Sequence, residues 1–293
     1  MTMGVAAASL CVSATIPQNR DSVFAQYPIY SGDDLELLVN DHGTHFTLWS
    51  PEAQEAILRI YENDRNTVPV GIHRMAKSNN GTWRFSSPDD LTGSFYTFQI
   101  KYDGKYLDET PGVWAKAVGT NGQRAAIIDI QTTNPQGWET DKGPEIANIT
   151  DAIIYEMHHR DFSIHPSSGI VNKGKFLALT EPSTTGPGGV KTGIDHLKEL
   201  GITHVHILPS YDYNSVDESN LATPQYNWGY DPLNYNAPEG SYSTNPADPA
   251  VRIKEMKQMI KALHDAGIGV IMDVVNNHTG DTDGSNVTLT APG

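Results

Sequence analysis

The sequence has little of three features that would each define a class of protein. It contains one cysteine, Cys11, so no disulfide can form within the chain. None of its apolar runs approaches the ~20 residues that a membrane-spanning helix needs. Basic residues number 20 against 35 acidic ones, and the resulting net charge of −15 disfavours nucleic acids and anionic membranes as partners. A neutral ligand meets no such electrostatic barrier.

The first part of the chain, residues 1–30, is predicted to be a leader. Residues 3–14 form a short apolar run that ends in small residues, which resembles the core and cleavage site of a secretory signal without its usual basic start. If the leader is a signal, the protein is secreted or periplasmic. If it is a terminus without a targeting role, the protein is cytoplasmic.

Residues 31–133 consist of short segments in which apolar and polar residues alternate, separated by turn residues. A period of two at this spacing predicts an antiparallel, immunoglobulin-like β-sandwich. The segment "KYDGKYL" predicts a tight hairpin, because Asp103 and Gly104 accept the positive φ angles of a two-residue turn. Residues 134–150 contain proline and glycine and are predicted to be a linker.

The pattern changes in residues 151–293, where three apolar strands alternate with two amphipathic helices. The first helix is predicted over 190–200, with Val190, Ile194 and Leu197 on one face. The second begins at an Asp-Pro cap and is predicted over 249–266. This order predicts right-handed β-α-β units and a parallel sheet, whose functional groups lie on loops at the carboxyl ends of the strands.

Two groups of polar and aromatic residues fall on such loops. The stretch "YNWGYDP" supplies Trp228, Tyr230 and Asp231, and the end of the third strand supplies Asp273, Asn277 and His278. Flat rings can stack on the apolar faces of sugars, while carboxylate, amide and imidazole groups bond the hydroxyls. These residues are therefore the candidate substrate-binding residues. The structural alternative is that the aromatic rings fill the base of the loop and that the polar residues hold turns.

A catalytic metal is not predicted. His204 and His206 lie on one side of a strand, but zinc needs three or four converging ligands. Polar residues also occur inside barrels for structural reasons. The sequence "GPGG" at 186–189 follows no strand and precedes no Lys-Ser pair, so it does not indicate a phosphate loop.

Several segments resemble the α-amylase superfamily of glycoside hydrolases. These are "IIYEMHHRDFS", "HLKELGITHVHILP" and "GIGVIMDVVNNH", which resemble the first three strands of a catalytic barrel and contain the pattern D-x-V-x-N-H. The heptapeptide "YNWGYDP" is the signature of type I pullulanases, the starch-debranching enzymes. "FTLWSPEA" and "KAVGTNGQRAAIID" resemble the carbohydrate-binding-like sandwich that precedes the barrel in these enzymes. Branching and isoamylase-type enzymes are disfavoured by the heptapeptide.

The resemblance implies a fold and a site. Residues 31–133 would be a carbohydrate-binding-like sandwich, and residues 151–293 would be the first part, about three strands, of a TIM (β/α)8 barrel. Tyr230 would stack on the sugar on the non-reducing side of the scissile bond. His278 would bond the same sugar, and Asp273 would support the catalytic centre. The chain departs from the family pattern at Asn276, where the family usually has tyrosine or another residue, and at His159, where the family usually has valine.

In the family, the nucleophile and the general acid follow the fourth and fifth barrel strands. No catalytic carboxylate is therefore expected within the chain, and both are expected beyond Gly293. The favoured hypothesis is a retaining hydrolase of α-1,6-glucosidic linkages in pullulan, amylopectin and limit dextrins, inactive as the chain stands. The alternative is a non-catalytic α-glucan-binding fragment. No cofactor is expected; the alternative is calcium at Asn277, which some α-amylases bind at the matching asparagine.

Overall fold

A computed structural model describes residues 26–292. Cys11 and most of the predicted leader lie outside this range, so the prediction of a signal stays a prediction. Within the described residues, no helix combines the length and the apolar character that a membrane span requires.

The first half of the chain forms the predicted β-sandwich. One sheet has the strand order β1-β2-β6-β5, and the other has the order β4-β3-β7-β8, with β9 pairing β7. The strands are β1 Glu36–Asn40, β2 Gly43–Trp49, β3 Glu55–Tyr61, β4 Gly71–Arg74, β5 Ala76–Lys77, β6 Thr82–Ser87, β7 Phe95–Tyr102, β8 Lys105–Tyr106 and β9 Ala125–Ala126. The pairs within these sheets are antiparallel, as the period-two pattern predicts.

The core of the sandwich consists of the inward-facing residues of both sheets. Phe46 from one sheet and Tyr96 and Phe98 from the other are almost completely buried, and the rings of Phe46 and Tyr96 meet edge to face at 5.1 Å. The predicted hairpin joins β7 to β8, with φ angles of 46° at Asp103 and 74° at Gly104. Alternation and turn chemistry therefore account for this domain locally.

The second half contains a parallel three-stranded sheet of order β10-β11-β14, which does not close into a barrel. Its strands are β10 Ile154–Met157, β11 His204–Ile207 and β14 Gly269–Met272, and a separate antiparallel pair is formed by β12 Tyr211–Tyr213 and β13 Pro232–Pro238. The α-helices are α1 His159–Ser163, α2 Gly193–Leu200, α3 Pro249–Asp265 and α4 Asn286–Thr290. Short 3-10 helices cover Asn79–Gly81, Thr120–Gly122, Ile130–Thr133, Trp138–Thr140, Ile149–Asp151, Pro166–Ser168, Phe176–Thr180, Pro187–Gly189, Glu218–Asn220 and Gly240–Tyr242.

Two boundaries in this half differ from the prediction. Helix α2 begins three residues later than predicted, at Gly193, and Val190 lies outside it with an exposed side chain. The reason is a backbone bridge between Thr185 and Lys191, which holds the preceding residues extended. The first strand, which the apolar run predicts over 152–159, ends at Met157, because the His158 side chain caps α1. Helix α3 agrees with the prediction, with Asp248 as its cap and an end at Asp265.

A buried ionic cluster joins the two halves. Arg252 of α3 is 1 % exposed and contacts Glu218 at 2.6 Å and Asp212 at 3.2 Å. The same guanidinium donates to the carbonyl oxygen of Gly119 in the sandwich at 2.9 Å. Glu218 also accepts a hydrogen bond from the backbone N–H of Asn121 at 2.6 Å. One cation therefore connects a helix, the long loop after β11 and the last turns of the sandwich.

Replacing Arg252 should destabilise the fold strongly. Arg252→Ala leaves Asp212 and Glu218 buried without their cation, and loss of one partner of a buried pair typically costs about 3–5 kcal/mol. Arg252→Lys keeps the charge but loses the planar fork, so an intermediate effect is expected. The measurement is the free energy of unfolding from urea denaturation.

The control is Lys261→Ala on the same helix. Lys261 contacts Asp265, whose side chain is largely exposed, at 2.8 Å, and loss of such a surface pair should cost less than about 0.5 kcal/mol. If Arg252→Ala unfolds at the same urea concentration as Lys261→Ala, the cluster does not hold the two halves together.

Candidate functional site

The predicted site residues come from two loops at the carboxyl edge of the parallel sheet. The aromatic loop, defined here as residues 226–232, connects to β13, and Asp273 is the first residue after β14. Parallel pairing of β11 with β14 brings both loops to the same edge of the sheet. This topology explains why residues more than 40 positions apart in sequence are neighbours.

Tyr230 and Asp273 are in direct contact. The Tyr230 hydroxyl donates to Asp273 Oδ2 at 2.5 Å, while Tyr230 as a residue remains 41 % exposed. This hydrogen bond, followed by burial and the negative charge of the carboxylate, raises the pKa of Tyr230 to about 12. The hydroxyl is therefore a neutral donor at ordinary pH, and its bond to Asp273 fixes the orientation of an accessible ring.

His278 fixes the backbone beneath the same ring. Its Nε2 lies 2.8 Å from the carbonyl oxygen of Tyr230, and its own carbonyl oxygen accepts from the Tyr235 hydroxyl at 2.7 Å. A carbonyl oxygen can only accept, so Nε2 carries the proton and Nδ1 is left as an acceptor in the neutral ring. Tyr230, Asp273 and His278 thus form one connected group, as their positions at the strand ends predict.

The other two residues of the aromatic loop occupy different environments. Asp231 accepts hydrogen bonds from within its own loop region, from Asn227 Nδ2 at 2.7 Å and from the Ser215 hydroxyl. Trp228 is 58 % exposed and meets the ring of Tyr226 edge to face. Asp231 is therefore engaged in holding the loop, whereas Trp228 presents a free apolar surface.

Gly229 allows the loop to approach the preceding strand segment closely. It has a φ angle of 89°, and a Cβ atom there would lie 2.8 Å from Pro209. Its backbone N–H donates to Asn227 Oδ1 at 2.8 Å. A side chain at this position would push the loop away from the sheet edge.

His206 is a site residue that the sequence reasoning did not assign. Its ring lies between two carboxylates, with Nδ1 at 3.6 Å from Glu156 on β10 and Nε2 at 3.6 Å from Asp273, just after β14. The signal in the sequence is the alternation in "HVHI", which directs His206 to the side of the sheet that carries Glu156. These contacts place a titratable ring beside the carboxylate that holds Tyr230.

Two further histidines lie near the aromatic loop. His158 Nδ1 accepts from the backbone N–H of Asp161, so its Nε2 carries the proton and donates to the carbonyl oxygen of Asn227 at 2.7 Å. His159, one of the departures from the family pattern, packs against Phe176 and Tyr242. Burial lowers the pKa of His159 to about 3, so its ring is neutral and acts as a core residue.

Neither of two groups of oxygen-bearing side chains fits a metal ion. Asn277 is exposed, and the groove that it lines contains no carboxylate among its described residues, so it does not fit the oxygen-rich, acidic ligand set of calcium. Asp212, Glu218 and Glu239 have carboxylate oxygens within 4.8 Å of one another. However, the guanidinium of Arg252 already pairs with two of these groups.

Replacing Asp273 should lower the pKa of Tyr230. In Asp273→Asn the negative charge is lost and at most a weaker hydrogen bond to a neutral amide oxygen remains, so the pKa of Tyr230 should fall from about 12 toward the ordinary value of 10. The measurement is an NMR titration of tyrosine labelled with ¹³C at Cζ, with the resonance assigned from Tyr230→Phe. Asp231→Asn is the matched control, because that carboxylate contacts Asn227 and Ser215. An unchanged Tyr230 pKa in Asp273→Asn would contradict the assigned contact.

Comparison with known proteins agrees with this architecture. Residues 34–118 match the model of carbohydrate-binding module 48, the isoamylase N-terminal domain. Residues 177–286 match the model of the α-amylase catalytic domain. Both matches fall on the halves of the chain that the structure resolves as a sandwich and as a parallel sheet.

Individual relatives are similar over most of the chain. The pullulanase of Bacillus subtilis (strain 168) is 39 % identical over 274 residues, which cover 94 % of this chain. The crystal structure of a pullulanase from Paenibacillus barengoltzii, in complex with maltohexaose and α-cyclodextrin, superposes with a TM-score of 0.91 at 50 % identity and covers 94 % of this chain. The pullulanase structure from Bacillus acidopullulyticus gives a TM-score of 0.86 at 44 % identity and covers 91 %.

The chain spans less than half the length of these relatives. The shares covered are 37 % of the Bacillus subtilis protein, 42 % of the Paenibacillus barengoltzii chain and 32 % of the Bacillus acidopullulyticus chain. The parallel sheet of the described residues has three strands, whereas a complete (β/α)8 barrel has eight.

Proposed function

Because this chain belongs to the α-amylase superfamily of glycoside hydrolases, among the pullulanases, we propose that it is the substrate-contacting part of a starch-debranching enzyme. The proposed reaction is hydrolysis, with retention, of α-1,6-glucosidic linkages in pullulan, amylopectin and limit dextrins. The relatives it resembles are pullulanases, and one solved structure among them is a complex with maltohexaose.

The observation that carries this proposal is the mounting of Tyr230. Its hydroxyl is bonded to Asp273, its carbonyl oxygen to His278, and its ring is accessible. A tyrosine that is fixed at its hydroxyl and at its backbone suits stacking on a sugar, because little side-chain freedom is lost when the sugar binds. The large negative charge of the chain also favours a neutral substrate over an anionic one.

The residues then have distinct roles. Tyr230 stacks on the sugar next to the scissile bond and supports it as it flattens toward an oxocarbenium-like transition state. His278 offers its free Nδ1 as an acceptor for a sugar hydroxyl. Asp273 orients Tyr230, because one of its oxygens accepts a hydrogen bond from the Tyr230 hydroxyl. Trp228 offers a second apolar face near the entrance of the site.

A retaining glycosidase needs two carboxyl groups about 5 Å apart. In the family this pair follows the fourth and fifth barrel strands, and the parallel sheet described here has three strands. We therefore expect the 293-residue chain to hold glucan without cleaving it. The second candidate function, a non-catalytic α-glucan-binding fragment, is favoured by the same observation.

The first experiment compares the 293-residue chain with a form extended through a complete barrel of the same family. The extended form should release reducing sugar from pullulan, and the 293-residue chain should release no more than its own His278→Ala variant. If the extended form cleaves linear α-1,4-glucan but not pullulan, the proposed debranching activity is wrong. If the 293-residue chain alone cleaves pullulan, a catalytic acid pair exists within it.

The second experiment tests the role of Tyr230 in the extended form. Tyr230→Phe keeps the ring and should lose little activity. Tyr230→Ala removes the stacking surface. The fall in kcat/KM on pullulan should correspond to a loss of roughly 1–3 kcal/mol of transition-state stabilisation, by analogy with stacking of bases on aromatic side chains. If Phe is as damaging as Ala, the hydroxyl bond to Asp273 matters more than the ring face, and the stacking role is wrong.

A further inference from the structure

A groove of about 550 Å³ lies where the sandwich meets the edge of the parallel sheet. We call it the junction groove. It is lined by Val113 and Trp114 from the sandwich and by Tyr235, Asn236, Asn276, Asn277, His278, Thr279 and Val287 from the second half. None of the roles assigned above involves its sandwich side.

Trp114 presents a flat apolar surface to this groove on a fixed backbone. The residue is 50 % exposed, and its backbone N–H donates to Glu36 Oε1 at 3.3 Å. Glu36 is itself almost completely buried. The neighbouring carbonyl oxygen of Val113 accepts from Asn236 Nδ2 at 3.1 Å, a bond that crosses from the sheet side to the sandwich. Hydrogen bonds to the backbone of Val113 and Trp114 therefore fix this segment without using the indole. Substitution of the Trp114 side chain leaves these bonds in place.

The polar groups of the groove suit a neutral ligand rich in hydroxyl groups. Asn276 and Asn277 are exposed, and within residues 26–292 their side chains make no hydrogen bond to protein. Each amide offers two donors and an acceptor. Apart from the imidazole of His278, the described residues that line the groove carry no carboxylate, ammonium or guanidinium group. Aromatic surface together with uncharged amides can bind a sugar, whereas an ionic ligand would find no counter-charge.

The groove is continuous with the site around Tyr230. His278 lines the groove and also bonds the carbonyl oxygen of Tyr230, and the neighbouring Tyr235 hydroxyl donates to the carbonyl oxygen of His278. The ring of Tyr235 is stacked on that of Tyr211, which fixes its position. A polymer that passes over the ring of Tyr230 can therefore continue past His278 toward Trp114.

We propose that the junction groove binds further glucose units of an α-glucan chain, with Trp114 as the stacking platform and Asn236, Asn276 and Asn277 bonding hydroxyls. The choice of an α-glucan rests on the proposed function; the groove itself rests on the geometry. The sandwich then contributes directly to substrate binding beside the reacting sugar.

The test is calorimetric titration of the 293-residue chain with maltohexaose. Trp114→Ala should weaken binding roughly tenfold, as expected for loss of one stacking platform, and Trp114→Phe should recover part of the loss. The matched control is Tyr106→Ala, which removes an aromatic side chain of similar exposure, 44 % against 50 %, on β8, away from the residues that line the groove. A xylo-oligosaccharide of the same length is the control ligand and should not bind.

The outcomes separate this inference from the proposed function. If Trp114→Ala binds maltohexaose as well as the wild type, if the wild type does not bind it, or if the xylo-oligosaccharide binds equally, the inference is overturned. If Trp114-dependent binding is found while the extended form fails to cleave pullulan, the groove stands and the debranching activity fails. If the extended form cleaves pullulan and Trp114→Ala does not change the binding of maltohexaose, the debranching activity stands and the inference about the groove fails.

Discussion

The position of the whole site depends on one buried cation. Arg252 binds carboxylates of the loop after β11 and a carbonyl oxygen of the sandwich, so it fixes that loop against both halves of the chain. The loop continues into the aromatic segment that carries Tyr230. Because a buried guanidinium must have all its donors satisfied, any shift of one half relative to the other would leave polar groups unpaired in the interior.

The cluster contains more acidic groups than Arg252 alone can balance. Burial, with the neighbouring Glu218 and Asp212 carboxylates, raises the pKa of Glu239. Burial and Glu218 likewise raise the pKa of Asp212. The excess is offset by backbone donors: Glu239 accepts from Ser241 N–H at 2.8 Å and from Tyr213 N–H at 3.2 Å. A network extends further, through Asn234 and Asn286, to Thr110 in the sandwich.

Local patterns were sufficient to predict the elements but not the cluster. Alternation predicted the sandwich, Asp103-Gly104 predicted the hairpin, and cap residues predicted α3. The predicted start of α2 was wrong because the backbone bridge between Thr185 and Lys191 holds the chain extended, although the helical periodicity includes Val190. Asp212 and Glu218 lie in a polar stretch that looks solvent-exposed in sequence, and their burial depends on a partner 40 and 34 residues away.

The same distinction applies to the site. The grouping of Tyr230, Asp273 and His278 followed from β-α-β topology, which brings strand ends to one edge. Topology does not specify which way a side chain turns, so it could not separate Asp231, which bonds within its loop region, from Trp228, which is exposed. It also could not show that His206 lies beside Asp273, since that requires the register of two parallel pairs.

The fold also explains why the sandwich lies beside the site instead of on a flexible tether. Bonds between the halves occur at the Arg252 cluster, at Thr110 with Asn286 and at Ser50 with Thr290, each through a largely buried group. Several separate attachments resist rotation, whereas a single one would act as a hinge. Trp114, which forms one wall of the groove, is therefore held at a constant distance from His278. A polymer of repeating units can contact both domains at once only if this distance is constant.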